Sequence, residues 1–287
     1  MEYLFCVLTS PGPIIINLGP FSLRWYGVLI ALSVLIGLNL SNRLSKIRGI
    51  EKETFNDLLP FLVLTSLIGA RIYYVLLEWR FYKYNLPEAF AIWKGGIAIH
   101  GALIGALFAI WVFCISRKQY FWDLLDVLAP SFALGQAIGR WGNFFNNEAF
   151  GLPTNLPWKL YIPLISRPIE LSSYEYFHPT FLYESIWSII TFLILIELLR
   201  KGVQGKLKLP SGSLIFIYLT SYGTGRLWIE RLRIDPLCIG GVPPFCEGGV
   251  RIAQLVSILL IGLGIFNTWW LLIKNRELPS LGTKREI

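Results

Sequence analysis

The sequence predicts an all-α integral membrane protein: a bundle of about seven transmembrane helices with an irregular extracytoplasmic arm, forming one polytopic domain over 1–287. Three observations predict it. Hydrophobic side chains make up 54% of the 287 residues and charged ones only 15%, against about a quarter charged in soluble domains. Mean hydropathy is +0.56. Seven stretches approach the ~20 apolar residues needed to cross the hydrocarbon. The 11 Trp and 13 Tyr suit the same setting, because both rings favour the membrane–water interface.

The spans fall at about 21–40, 56–78, 96–116, 121–139, 178–199, 213–231 and 251–273. The first 20 residues contain no Lys or Arg, so they lack the basic start of a secretory signal. The fourth span is the least apolar, because Asp123 and Asp126 interrupt its start. Read from the sequence, those two carboxylates are structural more often than catalytic. The connection 140–177 contains Pro153, Pro157, Pro163 and Pro168 and forms the predicted arm.

The gaps 41–55, 117–120, 200–212 and 274–287 carry fourteen Lys and Arg, whereas the longer alternate gaps carry seven. The positive-inside rule places the richer set in the cytoplasm. The N-terminus is then extracytoplasmic and the C-terminus cytoplasmic. The net charge of +8 therefore reads as topology and contact with anionic membrane lipids, with no nucleic acid partner. Of the four cysteines, Cys238 and Cys246 share one gap. They pair if that gap faces an oxidising compartment, and spacing alone leaves this open. No CxxC motif points to a metal.

Depth follows from this topology. Arg24 and Tyr26 open the first span, Arg71 and Tyr74 lie in the outer half of the second, and His100 opens the third. Arg140, Asn143 and Glu148 follow the fourth, His178 and Glu184 open the fifth, and Tyr222, Arg226 and Glu230 lie in the outer half of the sixth. Ionisable groups within a membrane are costly and mark functional candidates by default, and these converge on the outer leaflet.

Tyr222, Arg226, Glu230 and Arg233 are spaced by four, four and three residues, which puts them within an arc of about 80° on one helix face. Read structurally, Arg226 and Glu230 form a pair that locks the bundle. Read chemically, the arginine faces an anionic substrate. His100 lies in "GGIAIHGALIG", where Gly101 and Gly105 form a helix-packing GxxxG pair. It is either a hydrogen-bonded bundle histidine or a general base. "GRWGNFFNNEAFG", Gly139 to Gly151, packs an Arg, three Asn, a Glu and three Gly beside the membrane. Its Arg suits phosphate, its Asn amides suit phosphoryl or ester oxygens, and Glu148 is placed to orient Arg140. The alternative is a helix C-cap and turn.

That segment fills every fixed position of the signature G-R-x-G-N-F-x-N-x-E-x-x-G and so resembles prolipoprotein diacylglyceryl transferases. "RWYG" at 24–27, "GGIAIHGALIG" at 95–105, "HPTFLYE" at 178–184 and "YGTGRLWIERLR" at 222–233 resemble the same family in the same order. The resemblance implies transfer of a diacylglyceryl group from phosphatidylglycerol to the lipobox cysteine of a prolipoprotein signal peptide. It implies a bacterial plasma (inner) membrane enzyme with its site toward the outer leaflet, and neither cofactor nor metal. Residue by residue, it implies that Arg140 and Arg226 hold the headgroup, that His100 is the base, and that Asn143, Asn146, Glu148 and Gly151 bind substrate. Tyr26, Tyr222 and Glu230 match further substrate-binding positions.

Without the resemblance, a transporter or channel for a small anion is the competing class, since converging arginines suit it too. Two features oppose it: no internal repeat is visible, and the polar cluster occupies one leaflet instead of a path through both.

Overall fold

The computed structural model describes residues 7–19, 21–51, 53–241 and 246–274. The basic C-terminal stretch beyond 274, which entered the charge count, lies outside the described residues, as do residues 1–6. The chain is a helical membrane protein. Among the described residues, seven helices have 17 residues or more: α1 (Trp25–Leu44), α2 (Thr54–Leu77), α4 (Ile99–Arg117), α5 (Phe121–Asn146), α6 (Thr180–Val203), α7 (Ser213–Ile229) and α8 (Ile252–Lys274). A one-turn helix, α3 (Trp79–Tyr82), follows α2.

Among the described residues, five helical stretches are long and apolar enough to cross a membrane by length and composition: Trp25–Arg48, Thr54–Leu77, Ile99–Arg117, Thr180–Val203 and Ile252–Lys274. Their outer faces carry large exposed apolar side chains, such as Leu64 and Leu76 on α2, Ile104 and Ile115 on α4, and Leu259 and Phe266 on α8. A water-facing monomer rarely exposes so much contiguous apolar surface. The other two long helices, α5 and α7, line the interior: α5 packs against α1, α6 and α7, and α7 against α8. α5 carries Asp123, Asp126 and Arg140, and α7 has only 17 residues.

Two boundaries differ from the sequence expectation. Residues 21–24 form strand β3 (Phe21–Arg24) of a hairpin with β2 (Ile14–Leu18), not the start of the first span. The helix of the fourth predicted span, α5, continues through Asn146 instead of ending at 139, so the arm begins at 147. Gly139 and Gly142 look like breaks in the sequence. In the structure Gly142 is the surface on which Tyr26 lies, and a Cβ there would come within 2.4 Å of the tyrosine ring. The helix ends where Asn147 takes the left-handed conformation (φ 53°) and its N–H reaches back to the chain, an ordinary C-terminal cap.

The arm is folded. β4 (Leu160–Tyr161) pairs in parallel with β1 (Leu8–Thr9) and antiparallel with β5 (Tyr176–Phe177). Two further short strands, β6 (Cys238–Ile239) and β7 (Val250–Arg251), pair in the α7–α8 connection. Cys238 and Cys246 form a disulfide there, with Cα atoms 5.8 Å apart.

Two apolar clusters occupy opposite ends of α5. One joins Leu124, Val127 and Leu128 to Leu195, Leu199 and Leu214. The other joins Phe144, Phe150, Ile162, Phe177 and Phe181 beneath the arm. Between them, α5, α6 and α7 bring polar groups together.

Asp126, fully buried, explains how α7 starts. Its carboxylate accepts from the N–H groups of Gly212 (2.8 Å) and Ile215 (3.0 Å) and pairs with Arg48 (2.6 Å). The carboxylate satisfies the open first turn of α7, which is the structural role the sequence favoured.

Candidate active site

The signature segment fastens three stretches of chain together. After the α5 cap, Asn143 donates its side-chain amide to Glu148 at 2.9 Å, and the Glu148 N–H donates to the Asn143 carbonyl at 3.1 Å. The Gly151 N–H donates to His178 O at 3.0 Å, and the Leu152 N–H to Leu232 O at 2.8 Å. Gly151 also bridges to Arg233. A Cβ on Gly151 would lie 2.8 Å from His178 Cβ and 3.0 Å from Leu232 O, so only glycine fits without a shift. The Thr180 hydroxyl donates to Ala149 O. In this way the end of α5, the start of α6 and the turn after α7 are held in register.

That register sets the charges. Glu184, one turn into α6, is the hub. Its Oε2 contacts Arg140 Nε, and its Oε1 lies 3.0 Å from Arg226 Nη1 and 3.9 Å from Arg233 Nη1. Its side chain is only 8% exposed. Arg226 Nη2 lies 2.7 Å from Glu230 Oε2, close enough for an ion pair although not angled for a hydrogen bond. Arg233 grips Asp235 with Nε and Nη2 at 2.9 and 2.8 Å. Arg251, from β7, donates to the carbonyls of Glu230 and Arg233, which ties the α7–α8 connection to the end of α7.

A cleft opens here, lined by Gln136 and Arg140 of α5, Glu184 and Trp187 of α6, and Tyr222 and Arg226 of α7. Gly225 makes room for Trp187, because a Cβ there would stand 2.4 Å from the indole. Tyr222 stacks on Tyr218, with ring centroids 6.3 Å apart.

The expected residues divide into groups. Arg140, Tyr222 and Arg226 line the cleft, and buried Glu230 pairs with Arg226. Asn143, Glu148 and Gly151 shape the turn beyond it, and Tyr26 packs on Gly142 of the same helix. Asn146 Oδ1 is buried with no hydrogen-bond partner among the described residues. Glu148 does not orient Arg140: the acid holding Arg140 is Glu184, while Glu148 receives Asn143. His100 stands exposed at the start of α4, its ring 5.9 Å from that of Tyr73. α4 packs mainly on α2, and no hydrogen bond or ion pair among the described residues joins His100 to the arginine cluster. His178 contacts Tyr183 OH through Nδ1 at 3.1 Å. Burial lowers the pKa of His178 from its ordinary value, which favours a neutral ring.

Glu184 and Arg233 stood among the charged candidates in the sequence, but neither was assigned a catalytic or substrate-binding role. The available signal for Glu184 was an acid near the start of an apolar stretch, on the side where the other polar residues gather. Its partners Arg226, Arg140 and Arg233, 42, 44 and 49 positions away in sequence, could not be read from local spacing.

Comparison with known proteins bears on this geometry. The family model described as "Prolipoprotein diacylglyceryl transferase" matches residues 13–270. A protein from Prochlorococcus marinus (strain MIT 9211) named phosphatidylglycerol–prolipoprotein diacylglyceryl transferase is 58% identical, over 98% of each chain. One of the same name from Prochlorococcus marinus (strain NATL1A) is 60% identical, over 98% of this chain and 97% of its own. Another from Parasynechococcus marenigrum (strain WH8102) is 58% identical, over 95% of this chain and 98% of its own. The chain belongs to the prolipoprotein diacylglyceryl transferase family.

Proposed function

We propose that this protein transfers the diacylglyceryl group of phosphatidylglycerol to the lipobox cysteine thiol of a prolipoprotein. The products are a thioether-linked lipid on the protein and free glycerol 1-phosphate. The observation that carries the reading is the meeting of Arg140 and Arg226, from α5 and α7, on one carboxylate within a cleft. Two guanidiniums spaced to hold two anionic oxygens also suit a phosphodiester.

The chemistry requires these residue types. A cysteine thiol has a pKa near 8.5 and reacts as thiolate. The thiolate attacks the glycerol carbon that bears the phosphate. A C–S bond forms as the C–O bond breaks, and that electron pair passes to the phosphate oxygen. Negative charge grows on the leaving phosphate, where Arg140 and Arg226 stabilise it in a site shielded by lipid and protein. Tyr222 and Glu230 set the Arg226 side of the seat, while Asn143, Asn146, Glu148 and Gly151 shape its rim. His100 is assigned as the thiol base, approached by the signal peptide from the α4 side, and a phosphate oxygen is the alternative acceptor. Neither cofactor nor metal enters this scheme.

In this reading all seven long helices cross the bacterial plasma membrane as one polytopic domain. The N-terminus and arm are extracytoplasmic, the C-terminus is cytoplasmic, and the site opens toward the outer leaflet. The excess of Lys and Arg in alternate connections supports this orientation. So does the Cys238–Cys246 disulfide, in a connection assigned to the oxidising side.

The test is a transfer assay on purified protein with phosphatidylglycerol and a peptide bearing a lipobox cysteine, read by mass spectrometry. The expected result is a peptide heavier by one diacylglyceryl group, with one glycerol 1-phosphate released per peptide. Folded protein that makes no thioether across a range of lipid compositions would overturn the reading. His100→Gln in the same assay is expected to lower turnover by about 10²-fold or more. Turnover near wild type would remove His100 as the base.

A further inference from the structure

The Glu184 carboxylate occupies the two guanidiniums that the proposed function assigns to phosphate. Oε2 contacts Arg140 Nε, and Oε1 lies 3.0 Å from Arg226 Nη1. While Glu184 stays there, a phosphate meets guanidiniums whose charge is already balanced and whose Arg140 Nε and Arg226 Nη1 groups are taken. If Glu184 remained, it would also weaken the positive potential that the transition state needs.

The remaining ion pairs show where it goes. Arg226 has a second counter-ion in Glu230, 2.7 Å away. Arg140 has no other ion-pair partner among the described residues. Arg233 turns Nε and Nη2 to Asp235 and leaves Nη1 facing Glu184 at 3.9 Å. A rotation of Glu184 toward Arg233 therefore keeps it paired while Arg140 and the inner face of Arg226 open.

The geometry points to Glu184 as an exchangeable internal counter-ion: it yields the Arg140–Arg226 seat to the substrate phosphate and retakes it to expel the product. This rests on the transferase reading above. The need for it follows from the charge balance of the reaction. The substrate is a phosphodiester with one negative charge. Once the C–O bond has broken, the thiol proton has gone to the base or to phosphate, and the product is a phosphomonoester. With a second pKa near 6, a monoester carries about 1.5 to 2 negative charges at neutral pH. The arginines thus hold product more tightly than substrate, and an anion already tethered in the site competes for them at high effective concentration. A static tether between α5, α6 and α7 would use the same ion pairs but would not speed product departure.

The test measures glycerol 1-phosphate binding by calorimetry to wild type, Glu184→Gln and Glu184→Asp, with transfer kinetics on the same preparations. Glu184→Gln keeps the shape and removes the charge. It is expected to bind glycerol 1-phosphate about tenfold more tightly, with lower KM for phosphatidylglycerol and lower kcat. Glu184→Asp keeps the charge but loses the reach to both arginines, and should tighten product binding by about threefold. Folded Glu184→Gln that binds glycerol 1-phosphate no better than wild type overturns the proposal. If that variant does not fold, unchanged affinity in Glu184→Asp overturns it. Wild type that makes no thioether defeats the transferase reading instead, and the binding comparison still decides whether Glu184 competes with phosphate.

Discussion

Arg71 shows why charge within a span does not by itself identify a site. It is 6% exposed and donates to the carbonyls of Glu88 (2.6 Å), Ala89 (2.8 Å), Ala91 (3.4 Å), Gly95 (2.7 Å) and Gly96 (2.8 Å). Its guanidinium also lies 5.3 Å from the Tyr82 ring centroid. All its donor capacity goes into pinning backbone carbonyls of the connection between α2 and α4. Arg140, by contrast, meets one carboxylate and borders a cleft. In the sequence both are arginines among apolar residues, and only their partners separate them. Arg71→Met should therefore cost about 2–4 kcal/mol of stability. Limited proteolysis should show earlier cleavage within 79–96, together with a lower thermal midpoint in detergent. An unchanged midpoint and cleavage pattern would show that the carbonyl cage does not hold that connection.

At the scale of elements, apolar runs located the seven long helices among the described residues to within four residues at every end except the last of α5. Hydrophobic length is a local property and survives reading without a structure. The errors fell where tertiary contact decides. Residues 140–146 stay helical because Tyr26 and Trp25 pack on that face, with Trp25 stacked 4.4 Å from Phe145. The arm gains strands because Leu8 pairs with Leu160, a contact no local pattern encodes. The GxxxG pair on α4 does show in the sequence, and its partner is α2. A Cβ on Gly101 would lie 2.2 Å from Gly69 O, and one on Gly105 would lie 2.2 Å from Thr65 O. Such close backbone approach is the usual basis of helix association in lipid. Gly105→Leu should force α2 and α4 apart and lower the thermal midpoint. Ile104→Leu, on the exposed face of α4, should leave it unchanged. Equal behaviour of the two variants would contradict the packing.

The molecule as a whole converts these local features into a site. Two apolar clusters anchor the ends of α5, the signature turn registers α5 against the starts and ends of its neighbours, and the arginines arrive between. The signature and the four-residue spacing on α7 pointed to Arg140, Tyr222 and Arg226, which the structure brings together at one cleft. The sequence did not show that Glu184 joins them, nor that His100 stands on a different helix pair, because both facts depend on how helices distant in sequence are packed. Arg140 and Arg226 are proposed to act together as the phosphate seat. The most direct measurement is single-turnover transfer by folded Arg140→Ala and Arg226→Ala beside wild type, with phosphatidylglycerol saturating. Each variant should lose about 10²- to 10³-fold in rate, as when one preorganised charge-stabilising donor is removed. A rate within a few-fold of wild type for either variant would show that its arginine does not hold the phosphate, and the seat described here would be wrong.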